Sequence, residues 1–315
     1  NVSFPSNNSL VQGASSLFGI RTDMQFGKLK LQTVLSQKKS SNKSVSSKGG
    51  KQLTPFEISA ADYEENRHFF LAHTFRSRYD DAMKTLPNLT TGITINRVEI
   101  WVTNKTGTTT NTRNIVALSD LGENSKISRT DLWGSGTGNT PSNNANTEYS
   151  TIAQGYPQAR NMDQTNTVLD GLGMVGGADY EKLSNARLLN SSEYTVNQAL
   201  GYVSLRTGLQ TDQVLAIAYE YTSGGVTHQV GEFSSDRTDV SEALLVKSLK
   251  NTSNNPKQAN WNLMMKNVYY LASTVERDKF RLDVKYQSDT TGVYIPYIPE
   301  KQVKSQPIIR ILGAD

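Results

Sequence analysis

The stretch that decides the fold is Phe18–Gln37, FGIRTDMQFGKLKLQTVLSQ. Phe18, Ile20, Thr22, Met24 and Phe26 occupy even positions, while Gly19, Arg21, Asp23 and Gln25 occupy odd ones. Gly27 and Lys28 break the pattern, after which Leu29, Leu31, Thr33 and Leu35 fall on odd positions against Lys30, Gln32 and Ser36. A period of two on both sides of a tight glycine turn predicts a β-hairpin. Each arm has roughly the 9–11 residues that a tilted strand needs to cross a bilayer. One face is apolar and the other polar, which suits a barrel with lipid outside and a wet lumen. The candidate lipid-facing residues are therefore Phe18, Ile20, Met24, Phe26, Leu29, Leu31 and Leu35. The same alternation also fits a soluble amphipathic hairpin packed on a core.

The rest of the 315-residue chain is polar but foldable. Hydrophobic residues make up 36% and charged residues 20%, yet 14 Tyr and 9 Phe are too many for a disordered chain. The net charge of +4 is small and dispersed, which argues against nucleic acid as a partner. With no cysteine there is neither a disulfide nor a thiolate site nor a Cys nucleophile. No apolar run approaches the roughly 18 residues of a transmembrane helix. Residues 1–5 lack the basic and apolar regions of a signal peptide. The chain is read as an internal piece of a longer polypeptide.

Beyond the hairpin, residues 38–53 form a Ser/Lys/Gly-rich loop, and about Ala60 to Leu86 carries the longest helical signal. Ser59 is placed to cap that helix, Phe69, Ala72, Phe75, Tyr79, Ala82 and Leu86 form its apolar stripe, and Pro87 ends it. The stripe is expected to bury Phe69, Phe75 and Tyr79 against strands around Ile95–Val102 and Leu282–Tyr286. Residues 93–104 read as a strand with a bulge at Asn96 and Arg97, where the parity switches. Residues 133–148 read as a flexible polar loop. Residues 214–221 and 226–233 flank Ser223, Gly224 and Gly225 as a second hairpin. A short helix is expected around Trp261 to Tyr270. Phe280, Leu282, Val284 and Tyr286 then alternate with Arg281, Asp283, Lys285 and Gln287 as the clearest strand. The fold class is α+β, mainly β, with antiparallel strands dominant. Its expected parts are a connecting segment 1–16, a hairpin 17–38, an inserted domain 39–306 and the start of a further strand at 307–315.

Chemistry is scarce. Gly171, Gly173 and Gly176 match GxGxxG, with helix-like residues 178–183 after them and Glu193 where a ribose-binding acid would stand. However, a dinucleotide fold needs a buried apolar strand before the first glycine, and residues 166–170 (NTVLD) are not one. His68 and His73 are five apart and share no helical face as an i,i+4 metal pair would, and His228 falls in a hairpin arm. Asp236 and Asp239 have no calcium-loop spacing. No HExxH or GxSxG is present. The chain is expected to be no enzyme and to take no cofactor, metal or nucleotide.

Several segments in order carry a closer likeness: residues 16–20 (SLFGI), 24–29 (MQFGKL), 62–71 (DYEENRHFFL), 98–104 (VEIWVTN), 200–204 (LGYVS), 229–234 (QVGEFS) and 261–269 (WNLMMKNVY). Together these resemble the SprA/Sov family, outer-membrane translocons of the type IX secretion system that are also needed for gliding motility. The likeness is weakest over 133–165. It implies a giant single-chain β-barrel that exports folded cargo to the cell surface, in outer-membrane lipid. It further implies partners: a PorV-type outer-membrane barrel, a periplasmic plug and cargo with C-terminal secretion signals. Barrels of this kind have short periplasmic turns and long extracellular loops. The Gly27-Lys28 turn is thus expected in the periplasm and the inserted domain outside the cell, as a cap-like element. The competing reading is a soluble surface adhesion or glycan-binding module with no pore, marked by an exposed aromatic platform at Trp101, Trp133 or Trp261.

Overall fold

The computed structural model describes residues 18–26, 29–37 and 56–312, except 90, 138–139, 254, 276–279, 289–290, 301–302 and 304–305; within the first two segments Met24 is the one side chain described. The chain divides into two compact units, residues 1–57 and 58–315.

In the first unit, β1 (Phe18–Phe26) and β2 (Leu29–Gln37) pair antiparallel over all nine positions, from Phe18 opposite Gln37 to Phe26 opposite Leu29. Ile20 therefore stands across from Leu35, and Met24 from Leu31. The apolar parity of one strand meets the apolar parity of the other, as residues directly across a ladder share a face. Met24 is exposed. The Gly27-Lys28 turn, the 1–16 segment and the 38–53 loop lie outside the described residues.

The second unit is mainly β with a few short helices. Its centre is a small closed barrel. β4 (Ile93–Val102) pairs along its length with β9 (Leu215–Ser223), which runs on through Gly224 and Gly225 into β10 (Val226–Val230). Both glycines have positive φ, 57° and 79°, the demand of a two-residue hairpin turn. The other edge of β9 also receives β11 (Leu244–Lys250), which runs parallel to β5 (Thr112–Leu118). β5 pairs with β6 (Tyr180–Leu188), and β6 returns to β4 at Trp101 and Val102. The ring is thus β9, β11, β5, β6, β4. All its ladders are antiparallel except β5–β11.

Parity along these strands separates two apolar clusters. Trp101, Ile115, Ala117, Leu183, Ala186, Ala216, Ala218, Leu244 and Val246, with Phe233, fill the lumen. A ring this small leaves room only for side chains, and alanine at four of these positions makes space for Trp101. The alternate residues, among them Ile100, Val116, Ile217, Tyr219, Tyr221 and Leu245, face outward into a second core. There they meet α1 (His73–Met83) and the sheet of β3 (His68–Phe70), β7 (Tyr194–Asn197) and β8 (Tyr202–Leu205). Phe75 of α1 packs edge-on against Tyr219 and Tyr221, with ring centroids 6.2 and 5.1 Å away.

Several expectations are corrected. The long helix is the eleven residues of α1 alone. Upstream, Ser59 and Asp62 bond each other's backbone in a turn, Asn66 takes a φ of 58°, and residues 69–72 are all buried as the chain runs into β3. Four consecutive buried residues have no outward face for a helix to show water. Phe69 and Phe75 are buried and Tyr79 is partly so, but Leu282 is exposed and no part of their core. Residues 280–285 form no strand: only β12 (Tyr286–Gln287) pairs, with β13 (Tyr294–Ile295). Alternation marks a face but does not supply a neighbour for the backbone hydrogen bonds. The helix at 261–270 is a 3-10 turn over Ala259–Leu263, and the strand expected at 307–315 is a helical turn, α4, at Ile308–Ile311. Among the described residues, 133–148 is no floppy loop, since Trp133, Ala145, Asn146 and Glu148 are buried. By contrast, the bulge between Ile95 and Arg97 and the 215–230 hairpin stand where the sequence placed them.

Candidate functional site

The chemistry of the second unit gathers where residues 119–174 lie on the outer face of β11. Lys247 is fully enclosed, and its Nζ donates to Glu123 Oε1 at 2.7 Å and to the carbonyl of Leu121 at 2.9 Å. Glu123 accepts the backbone N–H of His73 at the start of α1. Asn146 donates to the carbonyls of Asp120 and Glu123, and its Oδ1 accepts the N–H of Glu148 in α2 (Glu148–Ser150). Asp120 receives the N–H groups of Ser128 and Arg129. One buried lysine thereby ties β11, α1 and two turns together.

Burial sets the protonation states here. His73 is depressed to about 4, by burial first and then by the Lys247 charge against the opposing pull of Glu123. Glu148 is driven well above the usual carboxylate range, by burial and then by the Asp120 charge. Neither carboxyl oxygen of Glu148 nor either ring nitrogen of His73 has a hydrogen-bond partner among the described residues. Burial thus favours the uncharged form of both groups.

A second buried pair lies farther along. Arg160 meets Glu232 through two bonds of 2.6 and 2.7 Å, and also donates to the carbonyl of Ala243. Glu232 takes the Tyr149 hydroxyl at 2.8 Å and the N–H of Leu245 at 3.0 Å. Burial pushes its carboxyl up, but the Arg160 guanidinium outweighs that and holds it below the ordinary value. These two clusters fasten residues 120–160 to the barrel, with Lys247, Glu123, Arg160 and Glu232 all buried. The sequence signal for them was a lysine inside the apolar run Leu244–Leu249, which demands a buried acid elsewhere.

An open space adjoins the second cluster. A cleft of about 450 Å3 lies between Ser142, Asn143 and Asn144 on one side and Thr227, His228 and Gln229 of β10 on the other, with Tyr149.

The other residues singled out from sequence are dispersed. Gly171 ends α3 (Thr165–Gly171), Gly173 has a φ of 85°, and the residues after Gly176 enter β6, not a helix. The order is helix, glycines, strand, the reverse of a phosphate-cradling loop. Glu193 is occupied by Arg187 and the N–H of Asn190. His68 sits between Ser204 and Glu64 on β3, His73 in the buried network and His228 in the cleft. Asp236 and Asp239 cap local turns. Among the described residues, no group of three His, Cys, Asp or Glu is placed to hold a metal.

Residues 1–222 match the family described as motility related/secretion protein, SprA_N. The chain belongs to this SprA family. The SprA match spans both the β1–β2 hairpin and the barrel strands through most of β9, and stops short of β10 and β11. No curated protein matches the chain. Membership in the SprA family places it among proteins of motility and secretion.

Proposed function

We propose that this chain is a section of a giant outer-membrane β-barrel that conducts folded cargo proteins to the cell surface. The carrying observation is the family match, which runs through a hairpin of two nine-residue strands whose apolar positions stand opposite one another. In this reading Phe18, Ile20, Met24, Phe26, Leu29, Leu31 and Leu35 face lipid, and the chain from about residue 39 forms an extracellular cap. It performs no bond chemistry and takes no nucleotide. Its partners are outer-membrane lipid, cargo bearing C-terminal secretion signals, a PorV-type barrel and a periplasmic plug. Among the described residues no helix is long and apolar enough to span a membrane, which says nothing of a β-barrel.

The competing adhesion reading finds little support at the tryptophans. Trp101 is 1% and Trp133 4% exposed, and Trp261 is half-buried beneath the Lys266 ammonium, 4.6 Å from its ring. None offers an open platform.

A topology experiment tests the proposal. Thr137 is exposed and these 315 residues hold no cysteine, so Thr137→Cys in the full-length protein, with any cysteine outside this section replaced by serine, gives a single thiol. Intact cells should label with a membrane-impermeant maleimide. Labelling only after the outer membrane is broken would put the domain in the periplasm and end the cap reading.

A further inference from the structure

We infer that the cleft between residues 142–144 and β10 binds a short uncharged glycan. Its volume, about 450 Å3, falls within the roughly 300–1,000 Å3 of small-ligand sites. The lining is two hydroxyls, three amides, a phenol and an imidazole: Ser142, Thr227, Asn143, Asn144, Gln229, Tyr149 and His228. No ammonium or guanidinium lines it, so a phosphate or sulfate has no counter-charge there. No carboxylate lines it either, so a cation has none. No aliphatic side chain is present to take an apolar ligand. A ligand made of neutral hydroxyls is the class that remains, since each can both donate to and accept from amides and hydroxyls.

The frame is rigid, while the groups that face the space are unspent. Asn143 Oδ1 accepts the N–H of Gly231 at 2.7 Å, and Asn143 N–H donates to the carbonyl of Gln229 at 2.9 Å. Gln229 Nε2 is held by Asp236 at 2.7 Å. Tyr149 is fixed by Glu232, and His228 stacks on Tyr221, whose own hydroxyl donates to the carbonyl of Pro141. A polar site whose walls are already ordered does not spend binding energy on ordering them. In contrast, the side chains of Ser142, Asn144 and Thr227 and the His228 ring have no hydrogen-bond partner among the described residues. The 142–144 segment already sits on the outer edge of β10 at Gln229, which disfavours an added peptide strand as occupant. This inference does not depend on the channel reading.

The three histidines make a selective probe, because His68 and His73 are buried and bonded or enclosed elsewhere. The full chain, 15N-labelled at histidine and held in a zwitterionic detergent free of sugar, is titrated with neutral tetrasaccharides built from glucose, mannose, galactose, N-acetylglucosamine and fucose. At least one should shift the His228 resonances saturably while those of His68 and His73 stay in place. The pair Asn144→Ala and Thr227→Val, at two exposed positions without internal bonds, should weaken that binding roughly tenfold with the other resonances unmoved. The inference is overturned if no sugar moves His228 at about 10 mM, above the millimolar constants of weak sites. It is equally overturned if the shift survives the double substitution, or if a sulfated disaccharide or an unstructured peptide produces it as well.

Discussion

Lys247 Nζ stands 2.7 Å from Glu123 Oε1, with both side chains closed off from water in the outer core of a five-stranded barrel. Removing one partner of such a pair leaves the other charge unpaired and desolvated, which costs about 3–5 kcal/mol. Lys247→Met should therefore lower stability by about that much in urea titrations of the purified chain. Adding Glu123→Gln should recover part of the loss, because no unpaired charge then remains. A double variant no more stable than the single one would mean that the lysine's packing, and not its charge, holds the site.

Gly201 supplies a second test. It has a φ of +67°, and a Cβ there would stand 2.5 Å from Cδ2 of Phe75. Gly107 has nearly the same φ, +66°, with nothing within 4 Å of its Cβ position. Gly107→Ala thus reports backbone strain alone, about 1 kcal/mol or slightly more. Gly201→Ala should cost about 1–3 kcal/mol beyond that, the price of overpacking a core ring. Equal losses in melting experiments would show that Phe75 moves aside freely.

The pH dependence of stability should carry two opposed signatures. His73 is depressed to about 4 in the fold against about 6.5 in the unfolded chain, so the unfolded state takes up the proton first as pH falls. Stability is then lost between about pH 6.5 and 4, on the order of 3 kcal/mol in all. Glu148 is raised, so the folded chain keeps a proton that the unfolded chain gives up above its ordinary value. Stability is lost from that side as pH rises. His73→Leu should flatten the acid limb, and Glu148→Gln should stabilise more at pH 8 than at pH 4.5. Melting temperatures of the three proteins between pH 4 and 8 decide this.

In the hairpin, Ile20→Arg and Leu31→Arg place a charge on the proposed lipid face, whereas Gln32→Arg does not. Arginine near a bilayer midplane costs about 2–4 kcal/mol. The first two should reduce folded barrel in heat-modifiability gels and the third should not. Equal tolerance of all three would sink the membrane assignment.

Legibility in the sequence tracked exposure. The 18–37 and 215–230 hairpins were readable because their strands pair locally across short glycine-containing connections, and the bulge at Asn96 and Arg97 because the apolar parity switches there, although β4 pairs with the distant β9. β11 was not, since all seven of its residues are buried and no alternation survives in such a strand. The 60–86 segment was misread because Phe69–Ala72, buried throughout, mimics part of a helical stripe. Asn146 and Glu148 looked like solvated loop residues, but the Asn146 amide pairs with two main-chain carbonyls that would otherwise be left bare. The cleft joins residues about 80 positions apart, and nothing in either segment alone announces it.

The parallel pairing of β5 with β11 also fixes an order in time. Ile115 lies beside Leu244, 129 residues later by subtraction, and the ring cannot shut before that residue exists. A growing chain that has made β4, β5, β6 and β9 still has open edges on β5 and on the first half of β9. Contacts so far apart form slowly, because the loop between them must be closed before any bond rewards it. The domain is therefore built to stay pliable until about three quarters of it has been delivered, and then to lock at a single strand.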